Sequence, residues 1–419
     1  MKISKLHIDQ FRHLENLDFD FTYQTGERKG QPLDKICFIG QSASGKTSLL
    51  ELINDNIKNF HKTELDEEGK IWSKFVSFKG NVRIHKENDI YEYINGVFIK
   101  NNYPFQNSEK SAAWTSYLFD ETDKIFYFTS ELLSNKNIKL FEEDTVLLIE
   151  RFKTTSKNEQ DIYKQTFNED IDEAIWIRLL KNNLEYLQNF LQFATELINS
   201  GNVLDNSSQK KVDNWKLKNN NPLLDFSDKF NIILSKIQLE IDLINTKNII
   251  PLKHKITGEN IPIKNISTGT KHLLLTALPL YNLDTQESII LIDEPERSLY
   301  PDMQMDLMDY YQNLAPKAQF IVATHSPFIA ASFEPEERFI LYFNEEGKVA
   351  VRRGSSPIGD DPNDMLKNDF GLEFLMNKKG IEAFEKFKNL KKLLASEKDE
   401  KKKDKLLSEI LVLANAYKF

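Results

Sequence analysis

The octapeptide Gly40-Gln41-Ser42-Ala43-Ser44-Gly45-Lys46-Thr47 constrains this chain more than any other segment, because it satisfies G-x-x-x-x-G-K-[ST] at every fixed position. Its flanks supply the context that such a loop needs. Lys35-Ile36-Cys37-Phe38-Ile39 reads as a buried strand, and Thr47-Ser48-Leu49-Leu50-Glu51-Leu52-Ile53 has helical composition. Strand, glycine-bounded loop and helix, in that order, curl backbone N–H groups around phosphates at a helix N-terminus. Residues 40 to 48, Ser48 included, are therefore candidate phosphate contacts. Within them Lys46 is placed to reach the outer phosphates and Thr47 to ligate Mg2+.

A second segment, Ile289-Ile290-Leu291-Ile292-Asp293-Glu294, delivers two carboxylates at the end of an apolar strand, where open α/β sheets place their ligands. Asp293 is the expected magnesium partner and Glu294 the expected base for an attacking water. Gln319-Phe320-Ile321-Val322-Ala323 is a further apolar strand, leading into Thr324-His325-Ser326-Pro327, and a helix is expected between the two from Pro301 to Leu314. Near-continuous apolar strands alternating with helices predict an α/β fold with a parallel sheet covered on both faces.

The rest of the chain is patterned differently. Leu17, Phe19 and Phe21 alternate with Asp18 and Asp20 as in a half-buried strand. Val82-Arg83-Ile84, Ile90 to Ile94 and Val97-Phe98-Ile99 read as short antiparallel strands, with Asn95-Gly96 as a hairpin turn. From Ala174 to Ile198 the apolar residues Ile177, Leu180, Leu184, Leu187, Leu191, Ala194 and Ile198 form one helical stripe. A second helix is expected over Phe226 to Ile244, the pair reaching about 40 Å. The polar stretch from Ser207 to Pro222 between them reads as a mobile connector. Leu390 to Ala416 is a Lys- and Leu-rich helix whose charge run, Lys398 to Lys405, is a solvated face or turn.

Composition narrows the function classes. With 55 Lys+Arg against 64 Asp+Glu, a net charge of −9, the chain lacks a uniformly basic coat for nucleic acid, although a local basic groove stays open. The lone Cys37 leaves no internal disulfide or cysteine-rich metal site and fits a reducing compartment, so a cytoplasmic location is expected. No apolar run is long enough to span a bilayer, so no membrane partner is expected.

Taken together, these motifs resemble those of ABC-type P-loop ATPases, in the branch that holds SMC-like and RecF-like ATPases, OLD nucleases and ATPase subunits of bacterial anti-phage defence systems of the Septu-like and PARIS-like kinds. Three further segments carry the resemblance. Ile266-Ser267-Thr268-Gly269-Thr270-Lys271 stands where the ABC signature belongs, departing from Leu-Ser-Gly-Gly-Gln at Thr268 and Thr270. Pro295-Glu296-Arg297-Ser298-Leu299-Tyr300-Pro301 looks like the run that follows the catalytic glutamate in the OLD-like branch. His325 looks like the switch histidine that hydrogen-bonds the γ-phosphate.

The resemblance implies an ABC-type sheet, ATP and Mg2+ as cofactors, and hydrolysis of ATP to ADP and phosphate with Lys46, Glu294 and His325 as the catalytic set. It implies that Ser267 and Gly269 bind the γ-phosphate of an ATP held by a second copy, giving a homodimer or larger assembly. Arg12 lies where SMC-like and RecF-like proteins carry a basic residue near the phosphates, and Glu131 is a candidate for the position of the magnesium-sensing glutamine.

The expected organisation is a split ATPase core, 1–55 and 255–350, around an insertion, 56–254, with a β-hairpin part and a helical arm, followed by a helical tail, 351–419. So long an insertion does not suit a membrane-transporter subunit, and the residues after His325 lack the paired-carboxylate strands of a nuclease domain. The segment Gly359 to Leu366, followed by Phe370-Gly371, looks like tails of defence ATPases that act beside a separate effector. The leading expectation is thus an ATPase that dimerises around ATP and regulates a separate nuclease or toxin. Two alternatives stay open: a RecF-like DNA-repair ATPase that binds nucleic acid, and a nucleotide-locked scaffold with negligible turnover.

Overall fold

The computed structural model describes residues 1–60, 79–94, 97–104, 123–154, 162–200, 206–357 and 361–418. Alternating residues at the N-terminus fold as expected into β1 (Lys2–Phe11) and β2 (Leu14–Asp20), which pair antiparallel with Leu17 and Phe19 buried and Asp18 and Asp20 exposed. β3 (Lys35–Gly40) leaves this layer for a second sheet and runs into α1 (Lys46–Phe60). β4 (Lys79–Lys86), β5 (Asp89–Ile94), β6 (Val97–Lys100) and β7 (Tyr103–Pro104) complete the first sheet in the order β2-β1-β4-β5-β6-β7. Ile94 faces Val97 across the β5–β6 ladder, while the Asn95-Gly96 turn lies outside the described residues.

β8 (Ile125–Phe128), α2 (Asn135–Glu142), α3 (Thr145–Thr154) and β9 (Lys164–Phe167) follow. Next come α4 (Glu173–Leu179), α5 (Lys181–Asn199), α6 (Asn206–Lys218) and α7 (Pro222–Leu234), then a small sheet of β10 (Leu239–Ile241), β11 (Leu252–His254) and β12 (Asn260–Ile261). The chain continues through α8 (Thr268–Asn282), β13 (Ile289–Asp293), α9 (Pro301–Met305), α10 (Leu307–Leu314), β14 (Gln319–Thr324), α11 (Pro327–Ala330), β15 (Arg338–Phe343) and β16 (Val349–Arg353).

The second sheet has the order β16-β15-β3-β14-β13-β8-β9, parallel except for the β15–β16 pair. Every residue of β13 and β14 is buried, as a strand covered on both faces must be. One apolar core joins α1 to both sheets, and the rings of Phe19, Phe21, Phe38 and Phe339 meet there at 5.0 to 6.2 Å. β8 and β9, from within the 56–254 stretch, are full members of this sheet.

Several local expectations are corrected. The Ala174–Ile198 stripe is two helices, because Trp176, Ile177, Leu179, Leu180 and Leu184 are all buried, more than one stripe can cover, and a break at Leu180 divides them between two axes. The helix expected over Phe226 to Ile244 stops at Leu234: Gln238 turns left-handed at φ 59°, and Leu239 and Ile241 then bury alternate side chains in β10. The polar connector from Ser207 is largely α6, held by Trp215 against Phe190 and Phe193 at 5.4 Å and by Gln209 Nε2 donating to Asp213 one turn on. Asn221-Pro222 is a helix start, with the Asn221 side chain accepting from Leu223 N. Finally, the Pro301–Leu314 helix breaks at Asp306.

Met1–Gly359 form one compact unit and Asp360–Phe419 a second. The second holds α12 (Pro362–Asn368), α13 (Lys378–Ser396) and α14 (Glu400–Tyr417), the last two packed about Phe387, Leu390 and Ile410. The expected single helix from Leu390 is therefore divided, and Asp399 within the charge run caps α14 by accepting from Lys401 N.

Candidate nucleotide site

The loop between β3 and α1 is built around its glycines. A Cβ on Gly40 would stand 2.3 Å from Leu341 O, and one on Gly45 would stand 2.6 Å from Leu14 Cδ2 with φ at +96°. Only glycine therefore lets the backbone turn this closely against β15 and β2. Lys46 folds back over the loop and its Nζ donates to Gly40 O at 2.9 Å and Gln41 O at 3.0 Å. Burial draws its pKa down to about 8. The Ser44 hydroxyl is buried with no hydrogen-bond partner among the described residues.

β14 and β13 lie beside β3 in that order, so three parallel strands end together. At the end of β13, Asp293 Oδ2 accepts from Thr47 Oγ1 at 2.9 Å, joining the two residues expected to share a metal. Burial, reinforced by Glu294 and opposed by the Thr47 bond, raises Asp293 to about 6. Glu294 then takes φ 51°, a left-handed turn, while its N–H still donates to Ala323 O at 2.9 Å. That turn takes the carboxylate out of the strand's alternation.

At the end of β14, His325 is held through its backbone N–H, which donates to Glu296 Oε1 at 2.8 Å. Its pKa is lowered by burial first and then by Lys46, so the ring is neutral near pH 7. Glu296 is itself raised by burial. Ser326 Oγ donates to Gln304 Oε1 at 2.6 Å, and Gln304 Nε2 donates to Leu299 O at 2.7 Å, which ties β14 to the segment after Glu294. Glu296 and Gln304 have positioning roles the sequence reading did not assign. The Glu-Pro-Glu spelling was a signal for the first; nothing marked the second.

The signature segment starts α8. Ser267 is its N-cap, accepting from Thr270 N at 3.1 Å, and Ser267 and Thr268 are exposed at the helix N-terminus. Gly269 is buried beneath the turn after Glu294: a Cβ there would stand 2.2 Å from Ser298 O. No hydrogen bond among the described residues joins Ser267 or Gly269 to the Gly40–Thr47 loop of the same chain. Arg297 donates to Ser130 O, and a cavity of about 310 Å3 opens between Ser130, Glu131, Thr268, His272 and Arg297. Glu131 thus belongs to this cavity at the exit of β8. Arg12, at φ 55°, leans on the first turns of α1, donating to Ser48 Oγ at 3.2 Å and pairing with Glu51.

A glycine-built loop beside paired carboxylates and a histidine at three adjoining strand ends has the layout of a P-loop nucleotide site. The chain belongs to the AAA ATPase domain family, whose model matches residues 1–330.

It is similar to the Retron Vc95 probable ATPase of Vibrio cholerae serotype O1 biovar El Tor, 21% identical over 376 residues that cover 78% of this chain and 73% of that protein. It is also similar to two proteins named Septu protein PtuA. That of Bacillus mycoides (strain KBAB4) is 22% identical over 83% of this chain and 42% of its own length; that of Bacillus thuringiensis is 31% identical over 27% and 29%. The chain therefore spans less than half the length of these two Septu relatives. Among solved structures, the SMC head domain from Thermotoga maritima aligns at 12% identity with a TM-score of 0.39, covering 85% of this chain and all of that one. The Smc head of Pyrococcus furiosus bound to the C-terminal domain of ScpA aligns at 15% identity with a TM-score of 0.39, covering 84% and 96%. The resemblance to ATPases of bacterial anti-phage defence agrees with these relatives, and the fold is the expected P-loop sheet with an antiparallel part near its N-terminus. No helix among the described residues is long and apolar enough to cross a membrane.

Proposed function

We propose that this chain hydrolyses ATP to ADP and phosphate, closes into a dimer around ATP, and through that closure controls a separate nuclease or toxin in anti-phage defence. The observation that carries the reading is the single sheet edge where β3, β14 and β13 deliver Lys46 and Thr47, His325, and Asp293 with Glu294. A buried orphan hydroxyl on Ser44, a carboxylate at Asp293 held above its ordinary pKa, and glycines with no room for a side chain fit a polyphosphate and a cation.

Thr47 and Asp293 would hold magnesium, which when bound neutralises charge on the β- and γ-phosphates. Lys46 exchanges its two carbonyl partners for phosphate oxygens. Glu294 accepts a proton from the attacking water, and the neutral His325 ring hydrogen-bonds the γ-phosphate. The exposed N-terminus of α8, with Ser267 and the N–H groups near Gly269, reaches the γ-phosphate on a second copy. The relatives named for a retron and for Septu support the defence setting.

The test is the solution mass of the Glu294→Gln protein with and without Mg-ATP, alone and with the product of the neighbouring gene. A doubled mass with ATP, retention of that partner, and turnover slowed roughly 10²- to 10³-fold are expected. Unchanged turnover would remove Glu294 as the base. Ser267→Arg should stay monomeric while still binding ATP; full activity in that variant would remove the signature's role across the dimer.

A further inference from the structure

Apart from the nucleotide site, a cavity of about 490 Å3 lies between α5, α6, α7 and the loop from 243 to 249, within the size range of small-molecule sites. One wall carries Tyr186 and Phe190 as nearly parallel rings 6.4 Å apart, and Leu187, Leu223 and Ile249 add apolar surface. The polar lining is unusual in kind: it is almost entirely asparagine, with Lys216 as its single charged residue and no carboxylate.

The fold uses some of these amides. Asn219 Nδ2 donates to Trp215 O at 2.8 Å, and Asn221 caps α7. Others it leaves unused: among the described residues the side-chain amides of Asn183, Asn220 and Asn248 make no hydrogen bond, and Asn183 is only 8% exposed. Burying an amide with no partner costs stability, so Asn183, buried at the cavity wall, is a group held for a ligand, while Asn248 and the exposed Asn220 stand on the same cavity with their amides open to one.

We infer that this cavity binds a nucleoside phosphate, distinct from the ATP at Gly40–Thr47. Amides offer neutral donors and acceptors in the pattern that a base edge presents. The aromatic and aliphatic wall covers the flat body of base and sugar, and a lysine without a competing carboxylate selects an anion. Inorganic phosphate would leave the amides idle, and a purely apolar ligand would leave that of Asn183 buried and unpaired. The chemistry is the same for a free nucleotide and for the 5′-phosphorylated end of a single strand. The inference stands whether or not the loop at Gly40–Thr47 turns over ATP.

The test is calorimetry on the full chain carrying Lys46→Ala, so that the phosphate loop does not compete. It is titrated with AMP, GMP, CMP and UMP, with inorganic phosphate, and with 5′-phosphorylated single-stranded hexanucleotides. At least one mononucleotide should bind, weakened about tenfold or more by Asn183→Leu and by Lys216→Glu but retained by Lys216→Arg. Asn220→Ala, at an exposed position, gives the same reading should the buried substitution unfold the protein. A hexanucleotide that binds more tightly than its mononucleotide identifies a strand end as the source; equal or weaker binding identifies the free nucleotide. Absence of nucleotide binding, indifference to these substitutions, or inorganic phosphate binding as well as the nucleotides would each overturn the assignment.

Discussion

The edge of the parallel sheet and the helical region from α4 to α7 hold their side chains by opposite means. At the sheet edge, Lys46, Asp293, Glu294 and His325 stand within a few residues of β3, β13 and β14, whose hydrogen-bonded ladders set their positions. In the helical region position depends on a few side-chain contacts, such as Trp215 on Phe190 and Phe193, and on caps such as Asn221. The first region should therefore lose chemistry without losing its fold, and the second should lose stability without losing chemistry.

The largest effect should come from Lys46→Ala, lowering ATP hydrolysis roughly 10²- to 10³-fold in a phosphate-release assay while the unfolding temperature hardly moves. Collapse of the fold would break the contrast at its strongest point.

Next comes Asp293. The folded chain holds its proton to about pH 6 instead of the ordinary 3.8, so the folded state binds more protons than the unfolded one between those values. Stability from this group is greatest below about pH 4, declines as pH rises to 6, and the penalty is complete above that. Asp293→Asn removes the penalty, so the variant without nucleotide should be more stable than the parent by up to about 3 kcal/mol at pH 7.5, with no advantage at pH 4. Urea unfolding at the two pH values reads the difference; equal behaviour at both would show that burial of the carboxylate is not what it costs.

In the helical region, Trp215→Ala should cost about 2 kcal/mol by loosening α6, with hydrolysis unchanged. Asn221→Ala should cost about 1 kcal/mol through the lost cap, again without a change in rate. A fall in ATPase rate from either, measured beside its unfolding curve, would show that the two regions are coupled.

This division also explains what the sequence made legible. Apolar runs such as Ile289–Asp293 have one way to be buried, and the glycines of the phosphate loop have no substitute, so the sheet and its edge follow from local pattern. The polar segment from Asn206 to Lys218 carries no such pattern, and it is a helix because Trp215 finds an aromatic wall that lies distant in sequence. Leu180 likewise breaks its helix because of what surrounds it, not because of its own propensity. Glu296 was visible as a motif letter, but its bond to the His325 backbone needed the neighbouring strand end to be seen.

The contact between Gly269 and Ser298 O says which letters of the segment Ser267-Thr268-Gly269-Thr270 are free to drift. Thr268 faces solvent, so its spelling can change without disturbing its surroundings, whereas Thr270 is buried and both its N–H and its hydroxyl meet Ser267, so only a residue as small with a hydroxyl keeps that cap. Position 269 has no such latitude, since even a methyl group would push on the turn that carries Glu294. Read as unfolding temperature, a mutational scan of these positions should return a tolerant site at 268, a forbidden one at 269 and a restricted one at 270, a fingerprint set by space within one copy of the chain and separable from any loss of contact with nucleotide.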